Sequence, residues 1–287
     1  MSLLIQAARW FNFHFPWHQL KPSIAKRMAP RLDRSLGPIV YDGIQGSLRM
    51  RLDVANPLER DIYLNVSNMA IVSLFRKLLR PGDVVIDGGA NLGYLSLVAW
   101  QCVGSKGKVY TFEPLPATFE RLSENLRLNL AESIIPFRNA LWSEVGMATL
   151  YDFEDSGHDL PSLGKRPDKK VGREIPVETR RLDEVVAEPV KLYKLDIEGA
   201  EWSAMKGSER ILFSNPPPHV LIELTPRNCE AFGYHPLQAL DWFLQHTGRR
   251  RLHLVRRRRI VRVERDNLVE LFQRLPKKAH NVWFEPA

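Results

Sequence analysis

The stretch from Val84 to Trp100, VVIDGGANLGYLSLVAW, constrains this chain more than any other. An apolar run ends in an acid, crosses a glycine-rich loop and re-enters an apolar segment. Strand, loop and helix in that order let a ligand approach the backbone and turn helix N–H groups toward it. The loop matches neither common phosphate cradle. Anchoring G-x-G-x-x-G on Gly88 or Gly89 leaves a required glycine missing, and no Gly-Lys-Ser/Thr follows. What fits is D-x-G-x-N-x-G, formed by Asp87, Gly89, Asn91 and Gly93.

The acid narrows the ligand. A carboxylate at the strand end would repel a pyrophosphate and favour a ligand carrying an ammonium and a sulfonium. S-adenosylmethionine carries both charges and no phosphate. A turn whose Asp87 only caps the helix is the plainer alternative. A second acid, Glu113, ends the next apolar run, KVYTFEP, about 26 positions on. An acid there accepts hydrogen bonds from ribose hydroxyls, in NAD as well as in adenosylmethionine.

Periodicity places the loop in a larger plan. Strand patterns at 84–88, 108–113, 134–141, 191–197, 219–225, 251–263 and 281–286 alternate with helical spacing at 67–79, 92–102, 116–129, 201–206 and 236–246. Alternation of this kind predicts βαβ units and a mainly parallel sheet. The polar stretch 152–174 reads as a long mobile loop or lid-like insertion. Residues 1–60 form an N-terminal accessory segment, and 61–287 the main domain.

Four spaced blocks carry a family resemblance: PGDVVIDGGANLGYLSL, GKVYTFEPLPATFERLSENLRLN, LYKLDIEGAEWSAMKG and NVWFEP. Together they resemble the FkbM family of methyltransferases, from about residue 60 to the C-terminus. The resemblance implies an α/β, Rossmann-like class I fold: a seven-stranded, mostly parallel sheet with helices on both faces and the last strand antiparallel. It implies S-adenosylmethionine as cofactor and O-methylation of a sugar, glycan or secondary-metabolite hydroxyl. Carried over by position, the cofactor contacts are Asp87, Gly89, Asn91, Gly93 and Glu113, with Ala140 where the adenine is held.

Asp196, Glu198 and Glu201 cluster after the fourth strand and are the catalytic candidates. Clustered carboxylates raise one another's proton affinity, which suits a base that takes a hydroxyl proton. Glu198 and Glu201 capping the next helix is the bland alternative. Glu223 ends the neighbouring strand and with Asp196 offers two oxygen ligands, but no third acid is obvious, so no metal site is expected. His158, His219 and His235 read as solvated. SNPPPH at 214–219 looks like the N-P-P motif of nucleic-acid enzymes, yet it precedes the fifth strand and lacks the stacking aromatic, so it reads as a turn.

The net charge of +8 is concentrated between Arg249 and Arg265. Apolar residues interleave with these arginines, as in a strand pair with a solvated edge; an anionic partner is the sharper reading. Nucleic acid as substrate is the outside reading, and a non-catalytic module binding anionic polymers is another. The aromatic N-terminus (Trp10, Phe11, Phe13, Phe15, Trp17) reads as a helix packed on the domain or as an interfacial membrane contact, with Pro16 stopping it early. Cys102 and Cys229 have no CxxC partner, and no run spans a bilayer, so a cytoplasmic protein is expected, with membrane-peripheral placement as the alternative.

Overall fold

The computed structural model describes residues 3–14, 20–32, 35, 37–154, 161–166, 168–247, 250–256 and 259–287. His158, Phe15, Pro16, Trp17, Arg249, Arg257 and Arg258 therefore lie outside the described residues. The chain opens with helices α1 (Leu3–His14) and α2 (Lys21–Met28), then the antiparallel pair β1 (Ile39–Ile44) and β2 (Leu48–Leu52). Helices α3 (Pro57–Tyr63) and α4 (Met69–Leu78) lead into the main domain. Asn56 caps α3 by accepting the Leu58 N–H at 2.9 Å.

The central sheet follows from strongly apolar strands: β3 (Val84–Gly88), β4 (Lys108–Phe112), β5 (Ile134–Phe137), β9 (Leu192–Leu195), β10 (His219–Leu224), β11 (Arg250–Arg256), β12 (Arg259–Val263) and β13 (His280–Pro286). Between β5 and β9 in sequence lie β6 (Ala140–Leu141), β7 (Gly146–Phe153) and β8 (Val171–Arg180). The order in the central sheet is β12-β11-β13-β10-β9-β3-β4-β5. Neighbours from β5 to β10 are parallel, and β13 runs antiparallel to both β10 and β11. This is the class I methyltransferase order with one addition. The segment near 251–263, counted as one strand in the alternating plan, is the antiparallel pair that its arginine alternation suggested, so eight strands stand where seven were expected.

Parallel strands are joined by α5 (Tyr94–Val103), α6 (Pro116–Leu128), α7 (Leu182–Val185), α8 (Glu201–Lys206) and α9 (Glu209–Leu212). Further helices are α10 (Pro226–Glu230), α11 (Pro236–Thr247) and α12 (Arg265–Arg274). Buried side chains lie on both sides of the sheet, as parallel strands require. One cluster joins Val85, Leu97 and Val109 to Ile5, Ile44, Met50 and Leu52, so the N-terminal segment shares a core with the sheet. The other joins Ile86, Tyr193 and Ile222 to Phe243 and Phe272.

The polar stretch 152–174 is flanked by strands rather than being loop throughout. β7 and β8 pair antiparallel, and β6 adds to β8 in a separate small sheet. Ser162 folds back to bridge Tyr151, with both backbone N–H groups donating, at 2.8 and 3.1 Å. On the far edge, β12 leaves Arg259 and Arg262 exposed while Leu252 and Leu254 on β11 are buried. That is the solvated edge pattern read from the sequence.

Candidate active site

The carboxyl ends of β3, β4 and β9 lie side by side, and there the chain opens a cleft of about 760 Å³. Its floor is the glycine loop. Gly89 has φ +73°, and a Cβ there would sit 1.8 Å from the Asp196 carbonyl oxygen. No other residue fits between two crossing backbones at that spacing. The N–H groups of Gly89 and Ala90 both donate to the Phe112 carbonyl at 3.0 Å, which ties the loop to β4. Asn91 takes a left-handed backbone, and Gly93 begins α5 in the same region.

The expected residues divide into two groups. Gly89, Asn91, Glu113, Ala140, Asp196 and Glu198 line the cleft. Asp87, Gly93 and Glu201 do not. Asp87 is 1% exposed and lies beneath the loop. Its Oδ1 accepts from Lys194 Nζ at 2.8 Å and its Oδ2 from Ser96 Oγ at 2.6 Å. Lys194 Nζ also donates to the carbonyls of Gly88 and Gly89, at 3.2 and 3.1 Å. Burial alone would lower the lysine's proton affinity, but the carboxylates of Asp87 and Asp196 more than offset this and hold it above the ordinary value. Asp87 thus fixes the loop through a cation of the protein's own.

Glu113 lies at the cleft wall, its Oε2 accepting the Asn91 N–H and its Oε1 the Leu115 N–H, each at 3.0 Å. Burial pushes its carboxyl up to about 7 despite those donors. Glu201 Oε1 accepts the N–H groups of Ile197 and Gly199 at 3.0 and 3.2 Å, so it braces the turn after β9. Glu201 does not cap the helix it begins: α8 has no side-chain cap, and the carboxylate holds the turn that precedes it.

Glu198 is different. It takes a left-handed backbone, φ 56°, which costs a non-glycine residue free energy that the surroundings must supply. Two contacts hold it. Ser162 Oγ, from the β7–β8 insertion, donates to its carbonyl at 2.7 Å, and Asn228 Nδ2 donates to its Oε2 at 2.6 Å. Asn228 Oδ1 in turn accepts from the buried Arg166 Nη1 at 3.1 Å. Burial raises the Glu198 carboxyl well above its ordinary range, reinforced by Asp196, Glu223 and Glu201 and opposed by Arg166.

Asp196, Glu198 and Glu223 each bring an oxygen to within 4.8 Å of the others. The third acid that the sequence hid is thus Glu198, carried there by the turn after β9. Asn228 and Asn281 amides already occupy oxygens of Glu198 and Glu223. Burial, with Asp196 beside it, pushes Glu223 up to about 8. Three acids this close raise one another's proton affinity, so the cluster does not carry three full charges at once.

Lys194, Ser162, Arg166 and Asn228 escaped sequence reasoning. Lys194 had a signal, being a lone cation inside the apolar strand Leu192–Leu195. The other three gain their meaning only from contacts across the fold. The insertion also supplies Leu150, Pro161 and Leu163 to the cleft wall. His219 is half-buried beside Trp283, and burial pushes it down to about 4, outside the cleft.

The strand order, with the cleft at the strands' carboxyl ends, is that of the class I methyltransferase fold. Residues 87–251 match the FkbM methyltransferase domain, which is more than half of the chain. The chain belongs to the FkbM methyltransferase family. The glycine cradle at Gly89, the Glu113 carboxylate and Ala140 along one cleft fit S-adenosylmethionine, the cofactor that the family resemblance implies.

Among curated relatives, the hexuronic acid methyltransferase AglP of Haloferax volcanii is 29% identical over 150 residues, which is 50% of this chain and 57% of that protein. Methyltransferase 1 of Beauveria bassiana is 28% identical over 149 residues, 44% of this chain and 59% of that protein. The chain therefore spans under two thirds of the length of these relatives. An FkbM methyltransferase structure from Methylobacillus flagellatus aligns with 93% of this chain and 60% of that one, at 16% identity and a TM-score of 0.46.

Proposed function

We propose that this protein is an O-methyltransferase acting on a carbohydrate hydroxyl, free or within a glycan, with Glu198 as the base. The carrying observation is the placement of Glu198: on the cleft wall, in a strained backbone, held by two hydrogen bonds and high in proton affinity. A sugar hydroxyl is a weak nucleophile, so a positioned acceptor for its proton assists as the new bond forms. The bound cofactor supplies an already activated methyl group. The protein's own part is to align the acceptor and exclude water, and the β7–β8 insertion supports both by walling the cleft. The Haloferax relative, named for a hexuronic acid, adds support for a carbohydrate acceptor.

Gly89 and Asn91 would seat the cofactor beside the loop, Glu113 would accept its ribose hydroxyls, and Ala140 would face the adenine. The free thiols of Cys102 and Cys229 support a reducing, cytoplasmic compartment. No described helix is long and apolar enough to cross a membrane. The exposed edge arginines, Arg251, Arg256, Arg259 and Arg262, favour a further reading in which an anionic acceptor docks there.

The test is transfer of labelled methyl from adenosylmethionine to a panel of methyl glycosides, neutral and uronic, with RNA and DNA in parallel. Label in a glycoside that is lost in Glu198→Gln supports the reading. Label confined to nucleic acid refutes it, and full activity of Glu198→Gln removes that residue as the base.

A further inference from the structure

The outer face of the N-terminal helices takes no part in the cleft, and its composition is unusual for a solvated surface. Helix α1 carries two apolar stripes. The inner one, Ile5 and Ala8 with Asn12, is buried against the domain. Asn12 Nδ2 donates to the Leu64 carbonyl at 2.9 Å, and Arg9 Nε to the Tyr63 carbonyl at 2.9 Å. The Arg9 guanidinium also lies 4.3 Å from the Tyr63 ring centre. These contacts fix the rotation of α1 about its axis.

That rotation turns the second stripe outward. Leu3 is 83% exposed, Leu4 61% and Trp10 57%, with the exposed Ala7 between them. Positions 3, 4, 7 and 10 fall on one side of a helix, opposite 5, 8 and 12. A helix that only closed the core would carry polar residues there. α2 packs against α1 and leaves Ser23, Lys26 and Arg27 exposed, as is Arg31 in the following turn. The first 32 residues contain five Lys and Arg and no Asp or Glu.

We propose that the α1–α2 face docks on an anionic phospholipid bilayer, Trp10, Leu3 and Leu4 entering the interface while Lys26, Arg27 and Arg31 meet the headgroups. An aromatic and aliphatic stripe on one helix, with exposed cations on the helix packed against it, is the chemistry such a surface recognises. A second copy of the chain is a poorer occupant, because face-to-face docking would bring the same cations together. The inference goes beyond methyl transfer and concerns where the enzyme works. Its test does not depend on the acceptor.

The experiment is co-sedimentation of the full chain with vesicles of phosphatidylcholine, with and without phosphatidylglycerol. Binding is expected only with phosphatidylglycerol and should weaken as salt rises. Arg27→Gln and Arg31→Gln should each weaken partitioning about fivefold, and Trp10→Glu about tenfold or more. Calorimetric affinity for adenosylmethionine should stay unchanged in all three, which shows that they fold. Absence of binding to phosphatidylglycerol vesicles overturns the proposal, and so does equal binding by Trp10→Glu. Lipid-free dimerisation abolished by Trp10→Glu would assign the face to a second copy instead.

Discussion

Replacing Lys194 by Met removes the cation beneath the cofactor loop while keeping much of its volume. Lys194 is 3% exposed and Asp87 1% exposed, so water cannot substitute for the lost ammonium. Asp87 would keep only Ser96 Oγ as a donor, and the carbonyls of Gly88 and Gly89 would lose theirs. Removing one member of a buried ion pair costs about 3–5 kcal/mol, against a total stability of about 5–15 kcal/mol. For a domain of this size that lowers the melting temperature by about 10 °C. Thermal and urea unfolding followed by circular dichroism measure the loss. Calorimetry with adenosylmethionine should show weaker binding, because the Gly89 segment lines the cleft. The double variant Asp87→Asn/Lys194→Met removes both charges and should recover much of the stability. A single variant within about 1 kcal/mol of the parent, or a double variant showing the plain sum of both losses, would refute the assignment of the pair as the loop's anchor.

Glu113 titrates near 7 because it is buried, so its carboxyl is protonated below that pH and ionised above it. Its folded value is raised, so in the free protein its stabilising contribution is present at low pH and fades as pH rises through 7. An ionised carboxylate is the better acceptor for ribose hydroxyls, so cofactor affinity should climb up to about tenfold per pH unit below 7 and level above it. Glu113→Gln should bind more weakly and lose that dependence; an unaltered profile by calorimetry counts against the contact. Gly89→Ala would drive a methyl into the Asp196 carbonyl, and the expected result is loss of soluble folded protein or of cofactor binding. Wild-type affinity in that variant would contradict the crossing described above.

Asn228→Ala should lower kcat with little change in cofactor affinity, and should have no further effect in a Glu198→Gln background, because it acts through Glu198. Additive losses would assign Asn228 to another role. Chelation with EDTA should leave cofactor affinity unchanged, since Lys194 already neutralises the loop acid and amides hold Glu198 and Glu223. A loss restored by a divalent cation would instead assign one to the three acids.

The sequence alone determined the alternating architecture and the place of the cleft, because both are written in local order. Period-two and helical apolar spacing mark the strands and connecting helices, and a glycine loop between strand and helix marks where a ligand meets backbone. Glu113, Gly89 and Asp196 were legible for the same reason: each sits at the end of a recognisable strand. Tertiary structure decided the rest. It decided between one strand and a strand pair at 251–263 in favour of the pair, which adds the eighth strand, because the pairing with β13 that sets this edge is not written in local spacing. It carried the ends of β7 and β8 into a stretch whose polar composition resembled a loop. Most of all, it divided the acids by role. Asp87, Glu198 and Glu201 look alike in sequence, yet Asp87 meets Lys194 from a strand 107 positions away, Glu201 meets the backbone of its own turn, and Glu198 faces the cleft. A carboxylate's role follows from what shares its space, and those neighbours come from parts of the chain that local spacing cannot bring together.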